Sequence, residues 1–125
     1  PGTRLTGRPR AVDGATLAFG NRQVRLSGGL AVHEPGRSCH LAPVSWPCGD
    51  ASRRMLDRLL SGLPVICVVV GAEGSLPVAA CRVGRDDLSA AMVGSGMAKS
   101  ADPALREAAG RARADRRGLW AGERR

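Results

Sequence analysis

Metal binding, redox chemistry or acid–base catalysis in this chain of 125 residues would have to run through four cysteines, two histidines and eleven acidic residues. Neither close pair among Cys39, Cys48, Cys67 and Cys81 has the two-residue gap of a zinc knuckle. His33 and His40 have no third ligand near them in metal spacing, so the spacing predicts no metal site, and no cofactor is expected. Disulfides are the reading that remains. Cys39 and Cys48 would close a short loop, at a gain of roughly 2–3 kcal/mol in chain entropy, and Cys67 and Cys81 would face each other across a hairpin. Disulfides persist in oxidising compartments. A first residue Pro1 with no methionine adds to the expectation of a periplasmic or secreted domain whose signal peptide has been removed. The alternative is a cytosolic protein with four reduced thiols.

Nineteen basic residues against eleven acidic ones give a net charge of +8, nearly all of it arginine. That balance suits a polyanion or an acidic protein surface as partner, and equally suits a compositional bias that spreads arginine everywhere. Aromatic residues are only Phe19, Trp46 and Trp120. Their scarcity weighs against single-stranded nucleic acid, which is held by stacking bases on aromatic rings. No apolar run approaches the ~20 residues needed to span a membrane.

The elements that position these residues follow from periodicity and turn chemistry. Residues 10–12, 16–19 and 23–26 read as a three-stranded meander, parted by Asp13-Gly14 and Gly20-Asn21, dipeptides that accept tight turns. Residues 28–49, rich in Gly, Pro and Ser, read as a long surface loop. Asp50 caps a helix running to Leu60, with Ala51, Met55, Leu56, Leu59 and Leu60 on one face. Arg53, Arg54 and Arg58 lie on the other, a solvated face or a partner-binding surface. Val65–Val70 and Val78–Val83 form a hairpin around Gly71–Ser75. Asp87 opens a short helix that ends at Gly94-Ser95-Gly96. Asp102-Pro103 opens a last one, which Gly118 stops, leaving a tail over 118–125. The order predicts a single α+β domain over 1–125, mainly β: a five-stranded OB-type Greek-key barrel with three helices.

Several segments resemble, in order, those of the thermonuclease (staphylococcal-nuclease-like) family. Val12-Asp13-Gly14-Ala15-Thr16-Leu17 is similar to its Val-Asp-Gly-Asp-Thr-Leu turn, and Val24-Arg25-Leu26-Ser27-Gly28 to the start of its Val-Arg-Leu-x-Gly-Ile-Asp strand. Trp46-Pro47-Cys48-Gly49, Leu76-Pro77-Val78-Ala79 and Arg117-Gly118-Leu119-Trp120 follow in sequence. The resemblance covers nearly the whole chain. It implies phosphodiester hydrolysis, with calcium on carboxylates, a glutamate as general base and two arginines on the phosphate.

This sequence departs from that pattern where the chemistry lies. Ala15 stands at one metal aspartate, and Leu30, or Ala31 if one residue is inserted, at the other. Leu76 stands at the second arginine, whereas Arg25 is kept. Glu34 matches the glutamate only with the insertion; without it His33 takes that place. The bland readings are a surface arginine at Arg25 and a turn residue at Asp13. Losing one electrostatic stabiliser costs such a site ~3 kcal/mol, and losing both metal carboxylates removes the ion. The resemblance therefore implies a degenerate member with no catalytic residues, acting as an accessory or structural subunit or adaptor on a protein partner. The alternative is a nucleic-acid-binding protein or residual phosphodiesterase working through the basic surface.

Overall fold

Short alternating runs and closely spaced turn residues break the first part of the chain into strands. The computed structural model describes residues 2–41 and 43–121. In chain order these hold β1 (Arg4–Gly7), β2 (Arg10–Asp13), β3 (Thr16–Phe19), β4 (Arg22–Leu26), β5 (Cys39–Leu41), β6 (Val44–Trp46), α1 (Cys48–Leu60), β7 (Val65–Glu73), β8 (Leu76–Val83), β9 (Asp86–Asp87), α2 (Leu88–Gly94) and α3 (Arg106–Ala114). Single 3-10 turns occupy Pro103–Leu105 and Gly118–Trp120. The architecture is α+β, mainly sheet, with three α-helices.

Seven strands form one mixed sheet in the order β1-β7-β8-β4-β3-β2, with β9 also on β8, and β5-β6 is a separate hairpin. The β2-β3-β4 meander and the β7-β8 hairpin match the sequence reading, and the β4-β8 pair is parallel. Seven strands replace the expected five because β1 and β9 are short polar additions without the apolar run that marks a strand. Among the described residues no ladder joins the two end strands, β1 and β2, so the sheet is not a closed barrel. Those two strands are nevertheless consecutive, parted only by Arg8 and Pro9. Proline has no N–H to give a ladder. The segment splits there, its first half pairing with β7 and its second with β3.

The core lies between the sheet and the helices. Leu17, Val24, Leu26, Val65, Cys67, Ala79 and Cys81 meet Leu56 and Leu60 of α1 and Leu88, Met92 and Val93 of α2, all essentially enclosed. α1 is tied to the open edge of β2, where the Ala11 N–H donates to Asp57 Oδ1 at 3.0 Å. α3 buries Ala108 and Ala112, one turn apart.

Several boundaries differ from expectation. α1 begins at Cys48, so Asp50 sits inside its first turn, where Oδ1 accepts the Gly36 N–H (3.0 Å) rather than capping the helix. The last helix is interrupted: a 3-10 turn precedes α3, which stops at Ala114. Asp87 and Asp102 do cap, accepting the Ala90 and Ala104 N–H groups. The long loop over 28–49 contains the β5-β6 hairpin, and the tail over 118–125 begins as a 3-10 turn and then passes outside the described residues.

Both expected disulfides are present, Cys39–Cys48 and Cys67–Cys81, and the described residues hold no free cysteine. Two disulfides fit an oxidising setting, extracellular or periplasmic. No described helix is long and apolar enough to cross a membrane. Non-reducing peptide mapping should return these two pairs and no others. Replacing Cys67 and Cys81 together by alanine should lower the unfolding free energy in urea by about 3 kcal/mol, the chain-entropy value for a loop of this length, with cavity terms adding to it. A loss below about 1 kcal/mol would show that the bond adds little to the sheet.

Candidate functional site

The turn between β2 and β3 is built by two different demands. Asp13 Oδ1 accepts the Ala15 N–H at 2.7 Å, closing the turn through a side chain. Gly14 serves a close approach: a Cβ there would lie 1.9 Å from Ser52 Oγ of α1 and 3.1 Å from a Val32 methyl. The Ser52 hydroxyl in turn donates to the Met97 carbonyl at 2.8 Å. The turn is thereby pressed against α1, and Ala15 is fully enclosed at 0% exposure.

Arg25 stands opposite Thr16 on β4. Its Nη2 donates to the Leu30 carbonyl at 2.9 Å, Nη1 donates to Thr16 Oγ1 at 3.5 Å, and Nη1 lies 3.9 Å from Asp13 Oδ2. The Leu30 side chain belongs to the core, 4% exposed. The fold therefore brings Ala15, Arg25 and Leu30 together. A methyl and an isobutyl group are enclosed beside Arg25, whose guanidinium is turned onto the protein's own carbonyl.

The other two positions lie further out. Leu76 begins β8 opposite Glu73 at the hairpin tip. Because Arg25 is registered against Val78 on β8, Leu76 is two residues along the same strand and on the same face. The Glu34 residue is exposed, while its backbone packs on the start of α1, where a Cβ on Gly49 would fall 1.7 Å from Glu34 O. Asp13 belongs to no cluster of three potential ligands among the described residues.

The arginine face of α1 is divided. Arg53 pairs with Asp57 at 2.8 Å, the same carboxylate that holds β2. Arg58 Nη2 lies 3.8 Å from Met55 Sδ, and Arg54 is exposed with no ion-pair partner among the described residues. Arg54 and Arg58 are therefore the outward-facing members of that face.

One grouping escaped the sequence reading. His33, which has no third ligand nearby in the sequence, is carried by the loop to the Cys39–Cys48 disulfide, so that its ring nitrogen and both sulfurs lie within 4.8 Å of one another. His40, on β5, is not part of the group. The signal for it was three-dimensional: the Gly49 N–H donates to the Arg37 carbonyl (3.1 Å) and the Gly36 N–H to Asp50, folding the loop back over the start of α1.

Arg25→Met is expected to destabilise the fold by about 1–3 kcal/mol, because the Leu30 carbonyl loses its charged donor and Asp13 its counter-charge. Urea unfolding of the two proteins measures it; an unchanged midpoint would mean that Arg25 does not hold the loop.

Neither the models of known protein families nor the curated proteins match this chain.

Proposed function

We propose that this domain is a degenerate thermonuclease-like module of OB type that works as an accessory or structural subunit or adaptor, binding a protein partner rather than cleaving nucleic acid. The observation that carries the reading is the state of the Ala15–Arg25–Leu30 group. Both carboxylate places hold core side chains, and the arginine is bonded to Leu30 O. Calcium demands several hard oxygen ligands, and Asp13 alone supplies one carboxylate already engaged with the Ala15 N–H. The OB-type reading is supported by the meander, the parallel β4-β8 pair and the bent first segment shared between β7 and β3. The disulfides support a bacterial periplasmic or secreted site of action.

A protein partner is favoured over nucleic acid by the aromatic residues. Phe19 and Trp46 pack against the core. The Trp120 ring is covered by Lys99 Nζ, 4.0 Å from its centroid, with the Arg113 guanidinium 5.3 Å away. All three rings are partly buried, which leaves little aromatic surface on which a base could stack. Arg54 and Arg58 then offer a cationic surface suited to an acidic protein.

Assays of cleavage, of calcium binding and of native association test this. The purified chain should cleave neither DNA nor RNA above background when calcium is added, and calcium should not raise its melting temperature. Ala15→Asp should not restore cleavage; it should destabilise the fold, since it places a carboxylate at a fully enclosed position. Calcium-stimulated hydrolysis abolished by Arg25→Ala would overturn the reading. Natively purified material should carry a stoichiometric protein partner, lost on Arg54→Glu with Arg58→Glu. Recovery of free monomer alone, together with salt-dependent affinity for DNA or RNA, would favour the nucleic-acid alternative instead.

A further inference from the structure

The loop between β4 and α1 places three soft ligands around one point. His33 is partly buried, Cys39 is partly exposed at the start of β5, and Cys48 is fully enclosed as the first residue of α1. Their nitrogen and sulfur atoms lie within 4.8 Å of one another, and the two cysteine Cα atoms are 5.6 Å apart. Two thiolates on one tetrahedral zinc ion sit about 3.8 Å apart, given Zn–S bonds of about 2.3 Å. Once the sulfur–sulfur bond opens, all three ligands are within reach of a single ion without moving the backbone far. The geometry points to a redox-gated zinc site: a disulfide when oxidised, and a His33–Cys39–Cys48 ligand set for Zn2+ when reduced.

The two disulfides are unequally open to reduction. Cys67 and Cys81 are 0% and 1% exposed between β7 and β8, so an attacking thiolate has no approach to either sulfur. Cys39 is reachable. A dithiol reductant attacks Cys39 Sγ through one thiolate, and the sulfur–sulfur bond breaks with its electron pair leaving on Cys48. The second thiol of the reductant then attacks its own sulfur in the mixed disulfide and releases Cys39 as a thiolate. The reductant departs as a cyclic disulfide, and two electrons have entered the pair. The Cys48 thiolate forms at the N-terminal turn of a helix spanning Cys48–Leu60, where the helix dipole favours negative charge and makes it a good leaving group.

The ligands do not scatter when that bond opens. Loop and helix remain joined by the Gly49 N–H on the Arg37 carbonyl (3.1 Å) and the Gly36 N–H on Asp50 Oδ1 (3.0 Å), while the Arg37 N–H on the Glu34 carbonyl (3.0 Å) closes a turn within the loop. The helix dipole opposes a bare cation, but two thiolates and the Asp50 carboxylate in the same turn outweigh it. Three protein ligands leave the fourth position of the ion to water. Reoxidation of the pair by a disulfide oxidant expels the metal, so the loop is clamped in both states by different bonds. The site is separate from the Ala15–Arg25–Leu30 group and does not rest on the nuclease-like reading.

The test uses the whole chain. Limited treatment with dithiothreitol followed by alkylation and peptide mapping should label Cys39 and Cys48 and leave Cys67–Cys81 intact. After anaerobic removal of the reductant, Co2+ serves as a spectroscopic stand-in for Zn2+. The expected result is one ion per chain, with thiolate-to-cobalt charge transfer and the intense visible bands of tetrahedral cobalt, and displacement by Zn2+. The oxidised protein should show neither. His33→Ala should weaken binding by roughly a hundredfold or more, above the cost of losing an outer-shell partner. Cys39→Ser with Cys48→Ser should abolish the charge-transfer band, with far-ultraviolet circular dichroism checking that each variant is folded. Equal binding by oxidised and reduced protein, no binding by the reduced protein, or unchanged affinity in folded His33→Ala would each overturn the assignment.

Discussion

The hairpin of β7 and β8 is the member against which the rest of the sheet is aligned, and one covalent bond fixes its register. Cys67 and Cys81 are direct partners in the ladder and are bonded to each other within the core. A one-residue slip of either strand would turn its buried side chains outward, Val65 and Cys67 on β7 or Ala79 and Cys81 on β8, and the bond forbids it. β8 then carries β4 on its other edge and β9 at its end, while β7 carries β1. A chain with so few aromatic residues has little bulk with which to enforce such an alignment. The sulfur atoms supply both volume and constraint where another domain would use a phenylalanine.

The group of Ala15, Arg25 and Leu30 is shaped by the same economy. Alanine and leucine at positions 15 and 30 extend the hydrophobic cluster into a region where carboxylates would require water or an ion. Arg25 remains useful because its guanidinium satisfies the carbonyl of Leu30 and balances Asp13. Partly enclosed charge of this kind is stabilised by the hydrogen bonds that the protein itself supplies. Gly14 likewise has a packing role, against Ser52.

What could be read from the sequence depended on whether the signal was local. The meander, the long hairpin, α1 and α2 announce themselves through apolar period and turn residues, and Asp87 and Asp102 behave as caps. Both disulfides followed from loop length and strand facing. Asp50 misled because a carboxylate before an apolar helix resembles a cap, whereas its partner, Gly36, lies in a loop brought back by the fold. β1 and β9 carry no apolar run, and only their neighbours make them strands. That Arg25 bonds to Leu30 O was not legible, nor was the approach of His33 to the cysteines. Both depend on the path of the loop following β4, which no residue pattern specifies.

The break at Arg8-Pro9 also bears on how the molecule assembles. The pairing of Arg4 with Val68, and of its neighbours along the same ladder, joins opposite halves of the chain, while the two disulfides span only short separations of 9 and 14 residues. Closing so large a loop is entropically slow, and non-local ladders of this kind place a protein among the slower folders of its size. Neither cross-link shortens that search by much: Cys39–Cys48 takes only a short stretch out of the loop, and Cys67–Cys81 lies at its end. The order of events implied by the topology is meander and hairpin first, then the parallel β4-β8 contact, with the first strand laid down last. Run in reverse, the same topology lets the amide protons of β1 exchange before those of β7 and β8, by an opening of lower free energy than that of the cross-linked hairpin beside it.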